Sequence, residues 1–184
     1  ILKKESPYGE KSSRRTIYTI EDNMFRFWYR FVPDNASIIS RGGADLAYRR
    51  IAPEIPAYMG GVFEEICKQY LWKLLFEGGC AVNFSDIGRW WGANPKTKTQ
   101  EEIDIMGVNQ DSALFAECKW TNEKVNLGVL DTLIERSDIF SFREKHFYVF
   151  AKSGFTRGCM DKAEEMKNVT LVAYEDLLEQ SKPR

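Results

Sequence analysis

The chain has 184 residues, and 26 basic residues stand against 27 acidic ones, for a formal net charge of −1. This balance excludes a bulk electrostatic reason for binding nucleic acid, while 43% hydrophobic residues supply enough apolar surface for a packed core. No apolar run approaches the roughly 20 residues that cross a bilayer. Four cysteines without a C-x-x-C pair, together with a single histidine, argue against a zinc site and favour reduced thiols in a cytoplasmic protein.

The first 59 residues are predicted to precede the main domain. Residues 1–20 suggest two short strands around a polar loop, and Asp22 is a typical N-cap for the helix that follows. This helix carries an aromatic stripe, which predicts either core packing or a surface that docks another domain. A second helix is expected at residues 44–51, ahead of Pro53 and Pro56.

The main domain is predicted to begin at Gly60 with an amphipathic helix, because its apolar residues recur with a helical period. Glu64 and Glu65 lie near its start, where the helix dipole favours acids, and Gly78-Gly79 ends it. The later elements follow in this order: a strand at 89–92, a polar loop at 94–100, two strands within 101–120, a helix at 123–142, a strand at 147–151, a helix at 160–166, a strand at 169–173, and a helix from Glu175. This order predicts an α/β sandwich with a central mixed sheet flanked by helices.

The two strands between Glu101 and Trp120 are expected to form a hairpin. Turn-forming residues predict a tight turn centred on Gln110 and Asp111. Asp104 then lies opposite Glu117, with Cβ atoms about 5 Å apart. Two carboxylates so close repel each other unless a proton or a cation lies between them. A divalent ion with oxygen ligands, Mg²⁺ or alternatively Mn²⁺, would relieve that repulsion.

Strand alternation assigns the neighbouring side chains to faces. Lys119 follows Glu117 by two residues and therefore returns to the same face, where it can act beside a bound metal. Ile103 and Ile105 are expected to share the opposite, apolar face, with an irregularity near Gly107. Spacing alone leaves another interpretation open, in which the charges form a solvated face and Glu102 pairs with Lys119 across the strands.

A helix with Glu64, a strand with Asp104, and a strand with Glu117 and Lys119 resemble the PD-(D/E)XK nuclease superfamily, which has the restriction-endonuclease-like fold. Ile103 stands where the superfamily's name has a proline, a position that often varies in such folds.

Three aromatic strings carry a narrower resemblance. M-F-R-F-W-Y-R-F-V from Met24, R-W-W-G from Arg89 and F-A-E-C-K-W from Phe115 resemble the C-terminal domain of the archaeal-type ATPase family. That resemblance implies a longer protein, in which a P-loop ATPase module and a winged helix precede this region. It divides the chain into a winged-helix wing remnant (1–20), a helical linker or docking segment (21–59) and a nuclease-like domain (60–184). A chain that opens without methionine is expected to be a fragment of such a protein.

The resemblance also implies roles for the acids. Asp104 and Glu117 would bind the metal, the backbone carbonyl of Cys118 would complete its ligands, and Glu64 would hold the ion directly or through water. Lys119 would orient or deprotonate the attacking water. The expected activity is cleavage of DNA by a Mg²⁺-dependent endonuclease, and the alternative is a non-catalytic interaction or regulatory module with the same fold.

Contacts to nucleic acid are expected from Arg89, Lys96 and Lys98, although ordinary solubilising charge explains these residues equally well. Gln69 and Tyr70, next along the helix that carries Glu64, are expected to line the cleft.

Overall fold

The computed structural model describes residues 2–10 and 14–180, the side chains of 179–180 excepted. Residues 1 and 11–13 of the expected wing, and residues 181–184 of the expected nuclease-like domain, lie outside this range. The strands are β1 (Leu2–Glu5), β2 (Ile17–Ile20), β3 (Ile87–Ala93), β4 (Gln100–Asn109), β5 (Ser112–Lys119), β6 (Glu144–Ala151) and β7 (Val169–Ala173). The helices are α1 (Asn23–Phe31), α2 (Ala36–Ile39), α3 (Ala44–Ile51), α4 (Ile55–Phe76), α5 (Leu127–Ser137), α6 (Arg157–Met166) and α7 (Tyr174–Gln180), with a 3₁₀ turn at Pro33–Asn35.

Several helix and strand boundaries were predicted correctly from local sequence signals. The predicted bounds of α3 and β7 match the observed ones, and the Asp22 carboxylate caps α1 by accepting the Phe25 N–H at 3.0 Å. α4 begins five residues earlier than predicted, since Pro56 lies in its first turn, where a missing N–H breaks no hydrogen bond. α5 begins later than predicted because Val125 is held by another partner: its N–H donates to the Gly154 carbonyl at 2.9 Å.

The main sheet has the strand order β3-β4-β5-β6-β7. The first three strands pair antiparallel, whereas β5, β6 and β7 pair parallel, with α5 and α6 as the crossover connections. Helices cover both faces. The predicted α/β sandwich with a central mixed sheet is therefore confirmed. None of the described helices is long and apolar enough to cross a membrane.

The core consists of two apolar layers, one on each face of the sheet. On one face Phe63 and Leu71 of α4 pack against Ile105 and Phe150. On the other face α5 and α6 pack against the sheet, with Leu130 among the fully buried residues. β6 is buried from both sides, which explains why its sequence from Phe147 is a continuous apolar run.

The N-terminal hairpin of β1 and β2 is anchored to the edge strand β3. The Tyr8 N–H donates to the Arg89 carbonyl at 2.9 Å, and the Tyr8 hydroxyl donates to the Asp86 carbonyl at 3.0 Å. Arg15 Nη1 donates to the Trp91 carbonyl at 2.9 Å. These contacts occupy hydrogen-bonding groups that an edge strand otherwise exposes. The hairpin is thus fixed against the sheet.

Two glycine-to-alanine substitutions are expected to have opposite effects on stability. A Cβ at Gly107 in β4 would lie 2.6 Å from Ile87 Cγ2 and 3.3 Å from Phe84 Cβ, so Gly107→Ala should lower the free energy of unfolding by about 1–3 kcal/mol. A Cβ at Gly60 in α4 meets no atom within 4 Å, so Gly60→Ala should raise that free energy by about 0.5–1 kcal/mol through helix propensity. Urea unfolding of both variants measures the difference, and equal effects would contradict the packing around Gly107.

A candidate acidic site where two strands separate

The hairpin of β4 and β5 has the predicted register. Asn109 pairs with Ser112 across a turn of Gln110 and Asp111, and Gln110 adopts a positive φ of 42°. The pairing continues to Ile105 and Ala116 and stops there. Further along, β4 pairs with β3 while β5 pairs with β6. The strands therefore separate just before Asp104 and Glu117 would face each other.

A bulge in β4 coincides with this separation. Gly88 pairs with Met106 and Trp90 pairs with Ile103, so Arg89 alone faces the two residues Asp104 and Ile105. A bulge of this kind bends the strand and redirects side chains. Ile103 accordingly packs in the layer beside α5, whereas Ile105 packs in the layer beside α4.

The expectation that Ile103 and Ile105 share a face is therefore wrong, because the irregularity lies at Asp104–Ile105 and not near Gly107.

The Asp104 side chain turns into the gap between the separated strands. Its Oδ2 accepts the backbone N–H of Cys118 at 2.8 Å. Burial, followed by the negative charges of Glu117 and Glu64, raises the pKa of Asp104 to about 7, against smaller opposing contributions from the Cys118 hydrogen bond and Lys119. The carboxylate is thus partly withdrawn from water near two other acids, and losing its proton there is costly.

Glu117 lies on the α5 side of the gap and is 5% exposed. Lys119 Nζ donates to its Oε1 at 2.5 Å, and Arg136 Nη1 of α5 donates to its Oε2 at 3.4 Å. Arg136 Nε also donates to Glu101 Oε2 at 3.1 Å. One guanidinium therefore links an acid on β4 to an acid on β5 across the separation.

The charge on Lys119 is stabilised by its surroundings. Burial by itself lowers the pKa of Lys119, but Glu117 and Asp104 outweigh it, and the net shift is upward. Lys119 is therefore a cation in this arrangement, suited to orienting a group or offsetting charge. The alternative of a cross-strand pair between Glu102 and Lys119 is wrong, since Glu102 pairs with Arg89.

Glu64 approaches the gap from α4. Burial raises its pKa, and the opposing charges of Arg89 and Lys68 only partly offset that effect. Lys68 is held in turn by Glu65, with Nζ and Oε1 3.0 Å apart. Of the two acids near the start of the predicted helix, Glu64 is thus the one that acts on Asp104, while Glu65 binds a lysine.

The acids do not form a ready-made metal cage. Within residues 2–10 and 14–180, no three acidic, cysteine or histidine side chains lie close enough together to hold an ion. Glu117 already has a cation on each oxygen. Asp104 and Glu64 are nevertheless mutually repulsive oxygen donors, which is the donor chemistry that a hard cation prefers. All four cysteines are free thiols.

The expected nucleic-acid residues divide into two locations. Arg89 borders the same cleft as Glu64. Lys96 and Lys98 are exposed in the turn between β3 and β4, and they do not line that cleft.

Two helix residues near Glu64 are also placed differently from expectation. Neither Gln69 nor Tyr70 is among the residues that border the cleft at Glu64. Tyr70 packs edge-to-face on Phe150, and Gln69 is exposed elsewhere on α4.

Sequence reasoning missed several residues at the site, among them Lys68, which borders the cleft, and Arg136, which contacts Glu117. Lys68 carried a usable signal, since it follows Glu64 by four residues and therefore shares its helix face. Arg136 carried none, because only the packing of α5 on the sheet brings it to Glu117.

These observations define an α/β protein with a partly buried acidic site at the separation of two central strands. Residues 28–129, more than half of the chain, match the DUF234 family, described as archaeal and bacterial proteins of unknown function. The chain belongs to this family.

A further likeness is to a longer protein. The uncharacterized protein MJECL04 of Methanocaldococcus jannaschii is 32% identical over 127 residues, which cover 67% of this chain and 27% of that protein. The chain thus spans about a quarter of the length of this curated relative.

Among solved structures, the protein of unknown function AF1548 has a TM-score of 0.44 at 16% identity, covering 64% of this chain and 66% of the other. The DNA modification-dependent restriction endonuclease AspBHI has a TM-score of 0.35 at 18% identity, and the match covers 62% of this chain and 29% of the AspBHI chain.

Proposed function

We propose that this chain is a metal-dependent nuclease domain of the PD-(D/E)XK type, which cleaves DNA phosphodiester bonds with Mg²⁺ or Mn²⁺. The observation that supports it best is the state of Asp104. Its carboxylate lies at a strand separation, is largely buried, and has a pKa raised to about 7 by that burial and by Glu117 and Glu64. A fold that places a buried acid beside two others stores electrostatic strain at that acid, and strain of this kind concentrates at functional sites.

The chain's own groups supply complementary roles. Asp104 is positioned by the Cys118 N–H on its Oδ2, and among the described residues no hydrogen bond to its Oδ1 competes with a ligand there. Lys119 is held by Glu117 at 2.5 Å and carries a positive charge beside the gap. There it can orient a water molecule or offset the charge that develops on a phosphoryl group under attack.

The residues that would hold the ion are Asp104, Glu117, Glu64 and the carbonyl of Cys118. All of these donors are oxygens, in agreement with the preference of magnesium. When bound, such an ion lowers the pKa of its water ligand and polarises a phosphoryl oxygen. Glu117 would have to exchange part of its pairing with Lys119 or Arg136 to contribute.

We propose the remaining context with the same function. The hairpin of β1 and β2 would be the wing of a winged helix, and residues 21–59 a helical linker to the nuclease-like domain at 60–184. A P-loop ATPase module and the rest of the winged helix would lie in the same full-length protein. The short length of this chain relative to its curated relative leaves room for such modules.

Cleavage assays with a lysine variant test the activity. The protein is expected to cut plasmid or single-stranded DNA with Mg²⁺ or Mn²⁺, and Lys119→Ala should lower the rate by about 100-fold or more, since it removes the charge beside the attacked group. Lys162→Ala, which removes a lysine of an exposed pair on α6, should cut like the wild type. Equal rates for both variants would assign the cutting to a contaminant.

A second candidate function is a non-catalytic interaction module. Two observations favour it: Glu117 is already paired with two cations, and α1 presents an exposed apolar face of Met24, Phe25, Trp28 and Tyr29. Absence of cleavage with either metal, together with absence of heat on titration of Mg²⁺ and Mn²⁺ in a calorimeter, would favour this function over the nuclease.

A further inference from the structure

We infer that a single polynucleotide strand runs beneath the N-terminal hairpin, through clefts that meet at Arg89, with one phosphodiester group beside Glu64. This inference rests on the proposed function and adds to it the class of substrate and the route by which that substrate reaches the acids.

Three clefts share Arg89. The smaller cleft, of about 160 Å³, lies between the hairpin and α4 and is bordered by Lys3, Glu64 and Lys68. The larger cleft, of about 630 Å³, follows the hairpin past Tyr8 and shares Lys3 and Lys68 with the smaller one. A third cleft, of about 310 Å³, lies on the Trp91 side of β3. A chain threaded along the hairpin therefore passes Arg89 and reaches Glu64 without leaving these clefts.

The volumes match units of a single strand. Pockets that hold whole small-molecule ligands measure about 300–1,000 Å³. The larger cleft falls in that range and is large enough for a nucleotide, whereas the smaller one has room for a phosphodiester group but is too small for a base pair. The hairpin that bounds both clefts is anchored, since the Tyr8 N–H and hydroxyl both bond to the stretch before and within β3.

Basic side chains and aromatic rings along the route can contact a polynucleotide backbone and its bases. The smaller cleft is bordered by four basic residues, Lys3, Arg26, Lys68 and Arg89, and by four acids, Glu5, Glu21, Glu64 and Glu65. Glu65 pairs with Lys68, and Glu102 of the third cleft pairs with Arg89, so these two cations are held in place. Arg26 lies over the Tyr58 ring at 5.7 Å, and its Nε is buried without a hydrogen-bond partner within the described part of the chain.

On the far side of Arg89, its guanidinium lies 5.7 Å from the Trp91 ring, which also borders the third cleft. Proteins that bind single-stranded nucleic acid without sequence preference combine positive groups with aromatic surfaces.

Two neighbouring glycines of α4 allow a matched test that leaves every charge in place. Gly61 borders the smaller cleft, Gly60 does not, and a Cβ at either position meets no atom within 4 Å. Gly61→Leu should fill the cleft, while Gly60→Leu adds the same side chain outside it. Both replace a helical glycine by a good helix former, so neither should lower the melting temperature.

The probes are fluorescent single-stranded oligomers of thymidine and of uridine and a blunt DNA duplex, titrated in EDTA so that nothing is cleaved. Wild type and Gly60→Leu should bind single strands equally, and Gly61→Leu about 10-fold more weakly or worse. Lys3→Ala should weaken binding and reduce the salt slope by about 1. Preference for the thymidine or the uridine oligomer decides between DNA and RNA as the strand.

Equal single-strand affinity for the two leucine variants, or a duplex that binds the wild type as tightly as a single strand does, would overturn the route. Because the readout is binding in EDTA, the result is independent of the nuclease proposal. Normal cleavage by Gly61→Leu refutes the route alone, whereas weakened binding by Gly61→Leu in a protein that never cleaves supports the route and refutes the nuclease.

Discussion

Asp104→Asn is expected to abolish cleavage and at the same time to stabilise the fold above pH 7. The folded pKa of Asp104, about 7, lies above the 3.8 of a free aspartate. The folded protein holds the Asp104 proton more tightly than the unfolded chain does. The stabilisation from this proton is therefore fully present below pH 4 and is lost as the pH rises through about 7. Asparagine never carries the charge, and its oxygen can still accept the Cys118 N–H. The gain should be about 1–3 kcal/mol at pH 8, after allowance for residual solvent access, and close to zero at pH 4.

Urea unfolding in EDTA between pH 4 and pH 9 measures this gain. Asp161→Asn, at an exposed position of α6, is the matched control and should follow the wild type at every pH. In separate samples without EDTA, added Mg²⁺ should stabilise the wild type and leave Asp104→Asn unchanged, since a ligand stabilises only a state that binds it. An asparagine variant no more stable than the wild type at pH 8 would show that Asp104 is not under electrostatic strain.

Arg136→Met is expected to lower the free energy of unfolding by about 1–3 kcal/mol, because breaking a partly buried pair strands its acids. Arg136 serves Glu101 and Glu117 together, and their side chains are only 20% and 7% exposed. The loss should be smaller when Glu101→Gln is already present, with a coupling of about 0.5–3 kcal/mol between the two substitutions.

Arg157→Met is the control for this prediction. Its pair with Asp161 is 3.8 Å long and the arginine side chain is 90% exposed, so its removal should change nothing measurable. Unfolding of the two single variants and the double variant gives the coupling. A loss for Arg136→Met no larger than that for Arg157→Met would mean that the link across the separated strands contributes nothing to stability.

The elements with strong local signals could be predicted from the sequence. Asp22 marked the start of α1, Gly78-Gly79 marked the end of α4, and the apolar run at Phe147 marked a strand buried on both faces. The hairpin register also followed from its turn residues, which is why Asp104 and Glu117 were expected to be neighbours. The domain boundaries and the roles of the site residues remain predictions.

The site itself was only partly predictable. Strand alternation assumes a regular strand, and the bulge at Asp104–Ile105 breaks that assumption by placing two residues opposite Arg89. Asp104 therefore points into a gap between strands and does not stand beside Glu117 on one face. No local sequence pattern predicts this bulge, because it depends on how β3, β4 and β5 pair with one another.

What the sequence by itself determined is the order of helices and strands, the antiparallel hairpin and the set of acids, since these depend on propensity, periodicity and turn chemistry within a few residues. The tertiary structure alone decided where β4 leaves β5, that Arg136 reaches two acids, and that the N-terminal hairpin covers β3 above a cleft that ends at Glu64. Those features arise from contacts between residues tens of positions apart, whose free energy exists only once the sheet and its helices have packed.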